Sequence, residues 1–400
     1  MPQYQYRARN AEGKLIVGKL RAGSQERATA LLGENGLTVI SLEQEDKTPL
    51  LQRNVLEKVG LRDLILFFQQ AASMINAGVP ILDIVKSVGQ QSRKRVFQKT
   101  LLEVAYDIEA GDSLSIAMSK HEKIFTPFML GMVRTGEASG RLSESLESLA
   151  SYLEQDYTFM RKVRAAFTYP IFVLVVVFVI TVILFVFVVP QLVAMFSDAG
   201  VDLPLPTRIL IAISLFLQKY WVVLIAITLA GLALFRSYIR TPEGRYAVST
   251  FVLRIPIVST LLSKLYLSRL TSVLHTLFSS DVPALEALVL AKQAVGNRIY
   301  QRVLDDTVAA VKDGASLSSV WRQEVYIPRM LVSMVEVGER SGTVDRSFAE
   351  ASRFFRRDVE STLETITVLL EPLLVIGLGI GVGIVVAAVL LPIYNLVLVI

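Results

Sequence analysis

Gly136-Glu137-Ala138-Ser139-Gly140 returns 202 positions later as Gly338-Glu339-Arg340-Ser341-Gly342. Working outward, the offset holds in both directions. Upstream, Gly111-Asp112-Ser113-Leu114 matches Gly314-Ala315-Ser316-Leu317, and Ala77-Gly78-Val79-Pro80 matches Ser280-Asp281-Val282-Pro283, both at 203 positions. Downstream, Pro170 and Pro190 match Pro372 and Pro392 at 202 positions. A register that drifts so little across more than 110 positions marks a duplicated unit. Each unit is a polar helical region followed by an apolar run.

Composition places those runs in a membrane. Of 400 residues, 52% are hydrophobic and only 19% charged. No Asp, Glu, Lys or Arg occurs from Ala165 to Phe196 or from Pro372 to Ile400, and Lys219 is the only one between Arg208 and Arg236. Each stretch exceeds the roughly 20 residues that cross a hydrocarbon core of about 30 Å. Three spans are predicted, over 169–190, 211–235 and 372–395. Met1 to Glu45 is polar and lacks the apolar core and cleavage site of a signal peptide. The absence of cysteine excludes disulfides and thiolate metal sites.

Charge sets the orientation. Arg161, Lys162 and Arg164 precede the first span, Arg236, Arg240 and Arg245 follow the second, and Arg353, Arg356 and Arg357 precede the third. Gln191 to Thr207 carries no Lys or Arg. The positive-inside rule then puts the N-terminus and both polar regions in the cytoplasm and the C-terminus outside. Two equivalent units whose spans run the same way need one return helix between them, and 211–235 supplies it.

The fold expected is mainly α. A small ββαβ module occupies 1–45 and a linker 46–60, followed by a first six-helix cytoplasmic bundle over 61–168 and its span. A short external loop over 191–210, the second span and a connector over 236–263 lead to the second bundle, 264–371. The third span and an external tail, 396–400, close the chain. Within each bundle the apolar spacing is helical, broken at Gly78-Val79-Pro80, Gly111, Pro127 and Gly136–Gly140, and again at Val282-Pro283, Gly314, Pro328 and Gly338–Gly342. Pro80 suits a first helical turn, where a missing N–H costs nothing. The last helix of each bundle leads directly into its span, so a tilt or rotation can pass from the cytoplasm into the bilayer.

Little in the chain points to catalysis. The Gly-Glu-x-Ser-Gly pair lacks nucleophile-elbow spacing, since Ser139 stands three residues after Gly136 rather than two. It reads as a helix corner, with Gly136 left-handed, Ser139 capping the next helix and Glu137 accepting from that helix's free N–H groups. The alternative is that Glu137 and Glu339 bind a cation or a partner protein. His121 and His275 have no carboxylate neighbours at ligand spacing. Gly377, Gly379, Gly381 and Gly383 lie in an apolar span rather than after a strand, so they suit close helix packing in lipid and not a dinucleotide. Arg93-Lys94-Arg95 with Lys99 reads as a solvated helix connection, without the aromatic interleaving of a nucleic-acid groove. No phosphate-binding loop is present, and the spans lack the mid-membrane ionisable sites of a carrier.

The paired Ala-Gly-Val-Pro and Gly-Glu-x-Ser-Gly motifs, Tyr169-Pro170 opening the first span and Val188-Val189-Pro190 closing it resemble the inner-membrane platform proteins of type IV pilus and type II secretion machines, the PilC/GspF-type proteins. The resemblance covers essentially the whole chain. One departure is Asp281, where the family's second repeat usually has Gly. The resemblance implies a non-enzymatic scaffold without cofactors that binds a hexameric cytoplasmic ATPase and passes its motion to pilin or pseudopilin subunits. Other inner-membrane assembly proteins and a second copy of the chain are further expected partners, and nucleic acid is not. It does not separate a pilus platform from that of type II secretion or a DNA-uptake pseudopilus. A stand-alone receptor or transport component is the reading from a different class.

Overall fold

The structure of the protein is a computed structural model that describes residues 3–9, 15–44, 58–188, 190, 205–241, 244, 248, 251 and 256–399. It divides into two compact units, Met1–Lys58 and Val59–Ile400.

The first unit runs β1 (Gln3–Arg9), β2 (Leu15–Arg21), α1 (Gln25–Glu34) and β3 (Thr38–Gln44). Its antiparallel sheet has the order β2-β1-β3. Alternation along β1 buries Tyr4 and Ala8, and Tyr4 joins Ala28 of α1 in a small core. Ser24 caps α1 by accepting from Arg27 N–H at 3.2 Å. The last strand pairs with β1 as far as Tyr4 opposite Gln44. Residues 45–57, nearly all of the expected linker, lie outside the described residues.

The second unit contains two runs of six helices. The first comprises α2 (Leu61–Asn76), α3 (Ile81–Gln91), α4 (Arg95–Glu109), α5 (Leu114–Ser119), α6 (Pro127–Ser139) and α7 (Leu142–Ala166). After a break at Phe167, α8 (Thr168–Ile183) continues into one π-helical turn, Leu184–Val188, and α9 (Leu205–Arg240) follows. The second run comprises α10 (Pro256–Ser279), α11 (Ala284–Val295), α12 (Arg298–Lys312), α13 (Leu317–Trp321), α14 (Arg329–Ser341) and α15 (Val344–Val399). Helical backbone begins earlier than the apolar pattern indicates, at Leu205 and at Pro256. It also continues to Val399, through most of the expected tail.

The duplication is visible in local geometry. Gly111 and Gly314 both have positive φ, 105° and 88°, and Gly140 and Gly342 share φ near 70°. Ser113 and Ser316 cap α5 and α13 through the N–H groups of Ile116 and Ser319. The bundle cores are aromatic. Phe67 meets Phe97 edge-on at 6.0 Å in the first, and Phe348 stacks on Phe278 at 5.6 Å in the second. Trp321 is fully buried with its indole N–H donating to Thr307 Oγ1 at 3.0 Å. Burying side chains of this size stabilises by about 1.5–3 kcal/mol each.

Candidate functional site

The Gly-Glu-x-Ser-Gly corners are built differently from the sequence expectation. Gly136 and Gly338 are helical residues inside α6 and α14, and the left-handed C-caps are Gly140 and Gly342. Gly136 is there because α7 passes close by: an added Cβ would lie 2.6 Å from Ser145 Cβ and 3.1 Å from Leu142 Cα. At Gly338 the same collision occurs with Ser347 and with Val344 Cα. Ser139 does not cap α7. Its hydroxyl donates back to the Thr135 carbonyl at 2.8 Å, as Ser341 does to Val337. Glu137 and Glu339 likewise turn away from the following helix and cap an earlier one. Glu137 accepts from Ser115 N–H at 3.2 Å, at the start of α5. Glu339 accepts from Leu317 N–H at 2.6 Å, Ser318 N–H at 3.2 Å and the Ser318 hydroxyl at 2.5 Å, at the start of α13. The motif therefore locks one helix N-terminus to the corner that launches the long helix into the membrane.

Those long helices meet where they leave the bundles. Phe159 and Val163 of α7, Leu261 of α10, and Val359 and Leu363 of α15 form a separate apolar cluster. Around it Lys162 pairs with Glu360 at 2.8 Å and Lys264 with Asp358 at 2.7 Å. The Arg356 guanidinium lies over the Phe159 ring, 5.5 Å from its centroid. Burial drives that guanidinium below its ordinary pKa, and burial, reinforced by Asp156, lifts the Tyr152 phenol to about 12. Both groups line a polar cavity of about 370 Å³ between the repeats, with Glu144, Ser272 and His275. α15 carries the junction onward as one unbroken helix, so Pro372 sits inside it and does not start it.

Among the described residues, three helical stretches are long and apolar enough to cross a membrane: Leu142–Phe187, which takes in α7, α8 and most of the π turn, Ile211–Arg240 and Val344–Gly383. The model of the family described as "Type II secretion system (T2SS), protein F" matches residues 67–190 and again 270–392, and the model of that protein's N-terminal domain matches 1–43. The chain belongs to the type II secretion system protein F family. Its two matches reproduce the duplication read from the motifs. The chain is 34% identical to the type IV pilus assembly protein PilC of Thermus thermophilus over 405 residues, 99% of this chain and 98% of the relative. It is 29% identical to the type IV pilus assembly protein TapC of Aeromonas hydrophila, covering 97% and 94% of the two chains. It is 30% identical to the type II secretion system protein F of Pseudomonas aeruginosa, covering 99% of each. Members of this family are structural platform proteins and not enzymes. The three apolar helices and the family together make this an inner-membrane protein.

The remaining motif residues fall into place around this frame. Gly78 (φ 79°) ends α2 left-handed, and Asp281 takes the same role after α10 at φ 56°, so the corner keeps its geometry without glycine. Pro80 and Pro283 are the N-caps of α3 and α11. Pro170 falls in the first turn of α8, Pro190 lies in helical backbone beyond the π turn, and Pro392 lies within α15. A Cβ at Gly377, Gly379, Gly381 or Gly383 would meet nothing within 4 Å, so among the described residues these glycines pack against no other helix of this chain. His121 does have a carboxylate near it: Glu103, distant in sequence, stands 3.8 Å away. Among the described residues no group of three or more His, Cys, Asp or Glu is arranged to hold a metal ion.

One contact in the membrane region has no counterpart in the sequence expectations. The carbonyl of Phe185, in the π turn, accepts from the Ser214 hydroxyl at 2.5 Å and from Gln218 Nε2 at 3.3 Å, both on α9. A π turn frees carbonyls from the regular ladder, and such turns are frequent at functional positions. The signal was present as a Ser and a Gln four residues apart in a largely apolar span.

Proposed function

We propose that this protein is the inner-membrane platform of type IV pilus biogenesis, coupling a hexameric cytoplasmic ATPase to the insertion or extraction of pilin subunits. The observation that carries the reading is the junction at which α7, which leads through the break at Phe167 into the span α8, and α15, which runs unbroken into its own span, are clamped by Phe159, Val359 and the Lys162–Glu360 pair. A push on either bundle is thereby delivered to both spans at once. Both bundles face the cytoplasm in this proposal, as the flanking arginines require, and the C-terminus lies outside. The Gly136–Gly140 and Gly338–Gly342 corners act as positioning elements for the ATPase-facing surface, and the proline-bracketed spans lie nearest the pilins. Self-association through the glycine face of the third span belongs to the same reading.

The chain lacks cysteine, so Lys162→Cys with Glu360→Cys installs a reversible lock at the junction. Oxidation is expected to form the disulfide and leave fibre growth running, because the clamped helices already move together. Growth that stops on oxidation and resumes on reduction overturns coupling through a rigid junction, since it requires relative motion of these helices. Relatives of comparable similarity are named for pilus assembly and for type II secretion, so the type II platform is the second reading. Electron microscopy of cells lacking the gene, with an assay of secreted proteins, separates them. Lost fibres support the pilus. Intact fibres with exoproteins trapped in the periplasm support secretion.

A further inference from the structure

The duplicated helices enclose a cavity at the same place in each repeat, and the charge at one matching position is reversed. The first cavity, about 410 Å³, lies between α2 and α7 and is lined by Gln69, Ala72, Ala150 and Glu154. The second, about 370 Å³, is the one between the repeats, where α7 meets α10 and α15. Its α10 and α15 walls duplicate those residues. Ser272 and His275 stand 203 positions after Gln69 and Ala72, and Ser352 and Arg356 stand 202 after Ala150 and Glu154. In the first cavity Gln69 Nε2 donates to the Glu154 carboxylate at 2.9 Å. In the second the direction is turned round, and the Arg356 guanidinium donates to Ser272 Oγ at 3.0 Å.

We infer that the second cavity binds a small phosphorylated metabolite, its phosphate on Arg356 and its hydroxyl groups towards Glu147 and Gln155. Arg356 is half-buried and forms no ion pair among the described residues, and its Nε is buried without an acceptor. Asp156 and Glu360 act on it from farther away without bonding it. A cation drawn out of water normally has a counter-charge beside it, and here a ligand supplies that charge. The guanidinium is already held in place by Ser272 and by the Phe159 ring. Ser272 and Ser352, 5% and 7% exposed, share one hydroxyl hydrogen bond at 2.5 Å, so the proton of the other hydroxyl is free to donate. His275 donates from Nδ1 to the Asp345 carbonyl at 3.1 Å, which leaves Nε2 as its free nitrogen. Phosphate suits this set better than a carboxylate. With a second pKa of about 6, a phosphate monoester both accepts and donates near neutral pH. It can therefore meet Nε2 in either protonation state of the imidazole. The carboxylates of this cavity belong to α7 and stand at its solvent end, where Glu144 is held by Arg141 and exposed Glu147 accepts from ligand hydroxyls. A lipid headgroup is out of reach, because Arg356 precedes Pro372 by 16 residues of one continuous helix, about 24 Å.

Such a ligand ties α7 of the first repeat to α10 and α15 of the second, and the inference does not depend on ATPase coupling. The test titrates the full-length protein in detergent with ribose phosphate, ribose and inorganic phosphate at constant ionic strength, reading equilibrium dialysis and the thermal midpoint. A molecule that binds only the folded chain raises that midpoint. Ribose phosphate is expected to bind and to raise it, inorganic phosphate to compete more weakly, and ribose to do neither. Arg356→Gln should weaken ribose phosphate by about tenfold or more, as loss of a charged donor does. Ser272→Gln with Arg356→Glu copies the bonded pair of the first cavity into the second, so the chain is expected to fold as before and to lose binding. Glu154→Gln, in the first cavity, should leave binding unchanged. Failure of the unaltered protein to bind either phosphate compound overturns the inference. So does binding that survives Ser272→Gln with Arg356→Glu, or that Glu154→Gln weakens as much as Arg356→Gln does. Inorganic phosphate binding as tightly as ribose phosphate overturns the metabolite, since the hydroxyl end of the site then contributes nothing. None of these results bears on fibre assembly, so the platform reading stands or falls separately.

Discussion

The Ser214 hydroxyl donates to the Phe185 carbonyl across 2.5 Å, tying α9 to the π turn of the first span. In hydrocarbon an unpaired carbonyl has no water to turn to. Ser214 also accepts from Gln218 Nε2 at 3.2 Å, so three groups share the bond network. Ser214→Ala leaves Gln218 as a substitute donor and is expected to lower stability by about 1 kcal/mol or less. Ser214→Ala with Gln218→Leu strands the carbonyl and should cost about 1–3 kcal/mol. Thermal unfolding in detergent of the two singles and the double reads the difference, and a double equal to the sum of small singles would show that the turn does not need these donors.

The two corner carboxylates differ in how many donors they satisfy. Glu339 accepts three hydrogen bonds at the start of α13, and Glu137 one at the start of α5. Charged acceptors contribute about 1.5–3 kcal/mol per bond before losses elsewhere. Glu339→Ala should therefore destabilise by about 1 kcal/mol or more beyond Glu137→Ala. Denaturation midpoints of the two variants check this, and an equal loss would place the importance of the motif in its glycines.

Gly338 is conditioned by its neighbour on α15. A Cβ at this position collides with Ser347 and lies 3.1 Å from Val344 Cα. Gly338→Ala is expected to cost about 1–3 kcal/mol, as overpacking does. Ser347→Gly should recover part of that loss in the double variant, a coupling that separate sites do not show. Gly377→Ala, whose Cβ meets nothing, serves as the comparison and should leave stability unchanged or slightly raised.

How much of this was legible in the sequence follows from the range of each interaction. The duplication and the helix breaks are carried by Gly and Pro at recurring positions, so spacing reveals them, whereas the Ser cap expected at Ser139 is not formed. The sequence reads Gly136 as a left-handed corner residue, whereas it is helical and must be glycine because Ser145 on the following helix stands in the way of a Cβ. Glu137 was expected to cap the helix ahead and instead caps one 22 residues behind. Which N–H group a carboxylate meets depends on how α5 folds against α6, and no local pattern encodes that. The His121–Glu103 approach and the Phe185–Ser214 bond were hidden for the same reason.

Asp281 holds a conformation that glycine adopts freely, at φ 56°, and its carboxylate pairs with Arg141 of the first repeat at 2.5 Å. The left-handed backbone costs a non-glycine residue about 1 kcal/mol, less for Asp than for most. The ion pair is exposed on both sides, so solvent and salt screen it. Asp281→Gly removes the strain together with the pair and is expected to leave the protein as stable as before or slightly more so. Asp281→Ala keeps the strain and loses the pair, and should lower the unfolding midpoint. Asp281→Asn separates the two contributions, because Asn tolerates the left-handed region without the charge. A midpoint for Asn close to that of Asp assigns the position to backbone geometry. If Asn falls as far as Ala, the link to Arg141 is what the second repeat gained when it departed from glycine.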